Sequence, residues 1–195
     1  MLGFLTFFES FGQEKSNQII DFLEMGLFSH SISLPLEASN GVIGLNRVPG
    51  ITLGAAKQVW RKRTKLNAYY VISFSAYHQE ELHYGLTLSN ALQAQYRIFQ
   101  KVNLEGGLGL GYLHTFEDAP IYQYKEGTYQ QVRDWGRPQL TTHALIGISL
   151  PVSDKVSVTT HYKFMLQLPF ASKGGILFIP HSRFGLGARL KILKK

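Results

Sequence analysis

The chain alternates apolar and polar positions in segments of ten to fifteen residues. In residues 102 to 116, Val102, Leu104, Leu108, Leu110, Tyr112 and Phe116 share one parity, against Asn103, Glu105, Gly107, Gly109, Gly111 and Thr115 on the other. Side chains of a strand point alternately to its two faces, so this period of two predicts a β-strand with one oily and one narrow polar face. Residues 84 to 98 repeat the pattern, with Tyr84, Leu86, Leu88, Leu92, Tyr96 and Ile98 opposite Gly85, Thr87, Ser89, Ala91, Gln93, Gln95 and Arg97. So do residues 155 to 168, where Val156, Val158, Tyr162, Phe164, Leu166 and Leu168 oppose Lys155, Ser157, Thr159, His161, Lys163 and Gln167. Eight such segments can be drawn: 23–36, 50–60, 67–78, 84–98, 102–116, 139–150, 155–168 and 181–193. The first is the least regular, and its break in parity around Phe28 to Ile32 predicts a β-bulge.

The orientation of the oily face decides the class. A soluble ligand-binding barrel would hold it inside, whereas a membrane barrel turns it toward lipid. Eight strands enclose an interior only just wide enough for side chains, and large Leu, Tyr and Phe residues from every strand would overfill it. The other parity supplies Gly85, Ser89, Ala91, Gly107, Gly109, Gly111, Gly147, Ser149, Gly185 and Gly187, which suit a tight lumen. Arg97, Glu105, Lys163, Arg183 and Arg189 stand in mid-strand on that same face, where a lumen can pair them.

Connection lengths give a test independent of hydropathy. The turns at 61–66, 99–101 and 151–154 are short, and the connections at 37–49, 117–138 and 169–180 are long; only 79–83 is short on the long-loop side. Short periplasmic turns and long external loops, with both termini at the short-turn end, are the signature of outer-membrane barrels. Tyr84 and Tyr96 lie on one face of one strand, twelve residues apart. At ~3.4 Å per residue and a tilt of ~40°, that spans roughly 30 Å, an apolar band with an aromatic girdle at each edge.

The expected fold is therefore all-β: a single eight-stranded antiparallel up-and-down transmembrane β-barrel in the outer membrane of a Gram-negative bacterium. Over roughly residues 23 to 193, with glycine-rich strands such as Gly106-Gly107-Leu108-Gly109-Leu110-Gly111-Tyr112, the chain resembles the small outer-membrane barrels, of which OmpA-like transmembrane domains and OmpX-like proteins are members. That class usually closes with an aromatic residue read by the insertion machinery, whereas this chain ends Ile192-Leu193-Lys194-Lys195.

Composition changes this picture little. At 195 residues the chain is one domain. No apolar run reaches the length of a membrane-spanning helix, and the absence of cysteine excludes disulfides and thiolate sites. The formal net charge of +7 raises nucleic-acid binding. However, Arg61, Lys62, Arg63 and Lys65 cluster in one turn and Lys191, Lys194 and Lys195 near the last strand, which suits contact with lipid phosphates. No nucleic-acid-binding motif accompanies them. Leu2 to Phe8 is apolar, and Ser10 and Gly12 are small residues ahead of Gln13, so residues 1–12 read as the remnant of a signal peptide, with an amphipathic segment packed at the barrel mouth as the rival, and 13–195 as the barrel domain.

Five features carry candidate chemistry. His78-Gln79-Glu80-Glu81-Leu82-His83 is the densest set of metal-ligand types, but its spacing and hairpin context fit a surface loop, so no metal or cofactor is expected. His78 and His114 point outward near the outer rim, as a lipid A or phospholipid acyl hydrolase would require. The His-x-Ser pairing of the lipid A deacylases is missing, because His30-Ser31 and His181-Ser182 are adjacent and point to opposite faces. Arg97, Glu105, His143, His161, Lys163, Arg183 and Arg189 form an expected polar lumen cluster, either holding the barrel in register or lining a narrow channel for small solutes. The loop 117–138 carries Tyr122, Tyr124, Tyr129 and Trp135, composing either an extracellular binding surface or a lid that buries its own aromatics. Phe170 to Ile179 is a second apolar loop surface. The expected role is structural or partner-binding and non-enzymatic, with membrane lipids, lipopolysaccharide and another envelope protein as partners.

Overall fold

The computed structural model describes residues 19–32, 47–61, 65–79, 83–99, 101–117, 120–125, 127–132, 135–168 and 178–192. Eight long strands form the wall: β1 (Phe22–Ile32), β2 (Val48–Arg61), β3 (Leu66–Gln79), β4 (His83–Phe99), β5 (Val102–Glu117), β8 (Arg137–Pro151), β9 (Val156–Leu168) and β10 (Ile179–Lys191). Two short strands, β6 (Ile121–Lys125) and β7 (Thr128–Val132), make a separate two-stranded sheet. Around the barrel the order is β1, β2, β3, β4, β5, β8, β9, β10 and back to β1, every neighbour antiparallel. Closure leaves no unpaired edge in the wall, which is what lets a sheet cross hydrocarbon.

Alternation sends the large apolar residues outward. Leu88, Leu110 and Phe164 are 52%, 60% and 41% exposed, while Glu105, Arg183 and Arg189 on the opposite parity are buried. An exposed belt of this kind would be untenable in water and is at rest against acyl chains. The barrel is a transmembrane one.

One expectation fails in β1. Its pairing with β2 and β10 runs without a register shift, so the parity break at Phe28 is not a bulge. Phe28 simply points inward, 5% exposed. The register shifts lie elsewhere, at Gln58/Trp60 and Arg97/Phe99, both beside short turns.

Four of the inward-facing rings fit a narrow lumen because each lies over a glycine. Phe28 pairs directly with Gly50, Tyr77 with Gly85, His143 with Gly109 and His161 with Gly185. A Cβ built on any of these glycines would run into the ring of its partner. The polar face is thus not uniformly small; it alternates sockets and plugs. Residues 1–12, where a signal remnant was expected, and residues 169–177 of the second apolar loop lie outside the described residues. Gly85→Ala should destabilise the barrel by about 1–3 kcal/mol through overpacking against Tyr77. Urea unfolding in micelles should show a smaller penalty for the same substitution in a Tyr77→Ala background, since the two side chains compete for one space.

Candidate functional site

Arg189 organises the half of the lumen nearer the short turns. Its Nη1 and Nη2 donate to the two Glu105 oxygens at 2.6 and 3.0 Å, and its Nε and Nη2 donate to Glu24 Oε2 at 3.2 and 3.0 Å. Glu24 faces Arg189 directly across the β1–β10 closure, whereas Glu105 comes from β5 on the far wall. Gln95 Nε2 donates to Glu105 at 2.9 Å, and the Tyr69 hydroxyl donates to Gln95 at 3.3 Å. Five strands are joined through one guanidinium and its carboxylates. Paired charge of this kind is tolerable out of water only because every charged group has opposite charge and hydrogen bonds.

The half nearer the long loops is built differently. Arg183 Nη2 donates to Thr87 across the lumen at 2.9 Å, and its guanidinium lies 4.8 Å from the Phe28 ring centre and 5.4 Å from that of Tyr77. Both rings offer the cation their faces. Lys163 stands opposite Arg183 across the β9–β10 pair. Further out, His181 Nε2 donates to Gln167 Oε1 at 2.7 Å, so its Nδ1 is the acceptor for His30 Nε2 at 2.9 Å. Leu113 and Met165, 0% and 1% exposed, fill the remaining space.

Of the residues the alternation put in the lumen, Glu105 and Arg189 meet directly, Arg183 and Lys163 are neighbours, and His143 and His161 sit over their glycines. Arg97 does not join them: it is exposed beside the short turn, where the register shift ends regular pairing. Thr87, Gln95 and Gln167, placed on the polar face by parity but not in the cluster, belong to the network, and Glu24, Tyr69, His30 and His181 join it unannounced. Glu24 has the right parity against Leu23 and Met25, a signal obscured by the irregular run that follows.

The loop between β5 and β8 is a clamped hairpin. Lys125 pairs with Thr128 around a tight turn in which Gly127 has φ 85°. At the base, Arg137 meets Glu117 at 2.6 Å, and His114 Nε2 donates to the Trp135 carbonyl at 3.0 Å. The His114 Nδ1 therefore accepts from the Tyr112 hydroxyl, at 2.7 Å. Gly136, at φ 70°, turns the chain against the His114 ring. Tyr122, Tyr124, Tyr129 and Gln131 share one face, Tyr124 and Tyr129 meeting edge to face at 5.2 Å. Tyr122, Tyr124, Tyr129 and Trp135 are 55–76% exposed, so the aromatics are displayed and not folded under a lid.

At the outer rim His78 stacks on Tyr84. Glu80 and Glu81, from the set weighed as metal ligands, lie outside the described residues. Among the described residues no group of three or more metal-ligand side chains comes together.

No family model and no curated protein matches the sequence. Solved structures do match by fold. Neisserial surface protein A is 14% identical, with a TM-score of 0.59 over 88% of this chain and 96% of that one. Ail, the attachment invasion locus protein of Yersinia pestis, is 12% identical, with a TM-score of 0.51 over 89% of this chain and all of the other. The resemblance to small eight-stranded outer-membrane barrels holds at the level of fold, and the apolar belt matches it: the chain is a barrel of the bacterial outer-membrane type.

Glu105→Ala should lower stability by about 3–5 kcal/mol, because it strips the bidentate partner from a buried guanidinium. Glu24→Ala should cost less, since Arg189 keeps Glu105 on both terminal nitrogens. Denaturant unfolding in micelles, read by heat-modifiable migration, compares the two.

Proposed function

We propose that this protein is a non-enzymatic outer-membrane anchor that presents the β6–β7 hairpin to a partner at the cell surface. The observation that carries this reading is the tyrosine face on a clamped base. Tyr122, Tyr124 and Tyr129 expose amphipathic rings at fixed spacing, the residue type that supplies contact area at low entropic cost. The extensive contacts of β6 and β7 are with each other, so among the described residues the ribbon also has two open edges onto which an extended segment of another envelope protein can pair. Lipid and lipopolysaccharide acyl chains are the partners of the belt.

The hydrolase and channel readings lack comparable support. His114 is engaged on both ring nitrogens as a clamp, and His30 and His181 point inward onto each other, away from any lipid substrate. Side chains in both halves of the lumen are almost inaccessible to water, including His30, His181, Arg183 and Arg189 at 0–6% exposure. An occluded axis favours bracing over conduction.

Deleting Tyr122 to Trp135 should leave heat-modifiable folding intact and abolish co-purification of a stoichiometric partner from detergent-solubilised membranes. Retention of the partner after the deletion would move the binding surface elsewhere. In planar bilayers the intact protein should give no stepwise single-channel conductance, and steady unitary currents would favour the channel instead.

A further inference from the structure

Asn90 stands on the lipid-facing side of β4, six residues from each of the girdle tyrosines Tyr84 and Tyr96, at the middle of the apolar belt. Its side chain is exposed, and its neighbours on that face are Leu88 and Leu92 along the strand and Ile72 and Leu110 across it. It is the sole carboxamide on the outward face of the wall among the described residues, and no side-chain hydrogen bond engages it. Thr142, beyond Leu110 on β8, is a second outward polar residue at this level. Acyl chains offer neither donors nor acceptors, so a lone carboxamide at this depth is unfavourable unless something supplies them.

We propose that the β3–β4–β5 face is a homodimer interface, in which Asn90 of one copy hydrogen-bonds to Asn90 of a second. A carboxamide is self-complementary, one N–H donor and one carbonyl acceptor on each side. All copies insert with the same topology and carry Asn90 at the same depth, so a two-fold axis normal to the membrane brings the two together. Such isologous contacts need one surface that complements itself. Around Asn90 a groove of about 360 Å³ is floored by Ala91 and Gly109 and bordered by the Leu108–Leu110 ridge. Each copy thus offers a ridge beside a recess, the close approach that packing in lipid requires. The occupant is a second copy rather than lipid, whose headgroup stays at the membrane surface.

The chain has no cysteine, so single substitutions report without background. Leu110→Cys marks the proposed interface and Leu186→Cys marks β10, on the other side of the barrel. In phosphatidylcholine vesicles, a flexible bismaleimide linker should cross-link the L110C protein into dimers and leave L186C monomeric. Adding Asn90→Leu to L110C should reduce the dimer at least tenfold, while heat-modifiable migration is kept because leucine suits the lipid-facing site. Energy transfer between labelled wild-type copies should fall on dilution with lipid, by an amount N90L removes. Equal cross-linking at both positions, an N90L variant that dimerises as before, or a wild type that gives no transfer at any protein-to-lipid ratio would overturn the interface.

Discussion

Hydrocarbon offers no water to a backbone amide, so every N–H and C=O in the wall must find its partner within the wall. That requirement is met only when β1 pairs with β10, the first strand with the last, along a register running from Phe22 opposite Lys191 to Ile32 opposite His181. An ionic contact of the lumen is placed at this closure. Glu24 and Arg189 face each other across it, and Arg189 reaches on to Glu105 on the opposite wall. The first and last strands of the wall and the far side of the barrel are fastened by one side chain.

Within that closed wall, the lumen must be filled without polar groups left unmatched and without excess volume. Four glycines receive four rings, and Arg183 and Arg189 each brace across the axis, one onto a hydroxyl and one onto carboxylates. The clamps at Glu117–Arg137 and His114–Trp135 tie the base of the β6–β7 hairpin to this braced wall, and its tyrosine face is exposed.

The wall was legible in the sequence because a period of two survives any change of neighbour: strand existence, strand boundaries to within a few residues and the facing of Leu88, Leu110 and Phe164 follow from it. Phe28 misled because hydrophobicity was equated with the lipid side, whereas its ring belongs over Gly50, twenty-two residues further on. Arg97 misled because parity takes no account of height: it still pairs with Asn103, at the last position before the register shift, but a side chain so near the rim reaches water. The hairpin strands went unseen since Tyr122-Gln123-Tyr124 and Thr128-Tyr129-Gln130 hold too few residues for alternation to stand out from a loop.

The sequence by itself determined which face of the regularly alternating strands meets lipid, because side-chain direction along a strand is local geometry fixed by the backbone. Only the tertiary structure decided which lumen groups meet. Arg189 lies 84 residues from Glu105 and 165 from Glu24 in the chain, and their encounter depends on strand order, register and closure, properties of the whole sheet that no local pattern encodes.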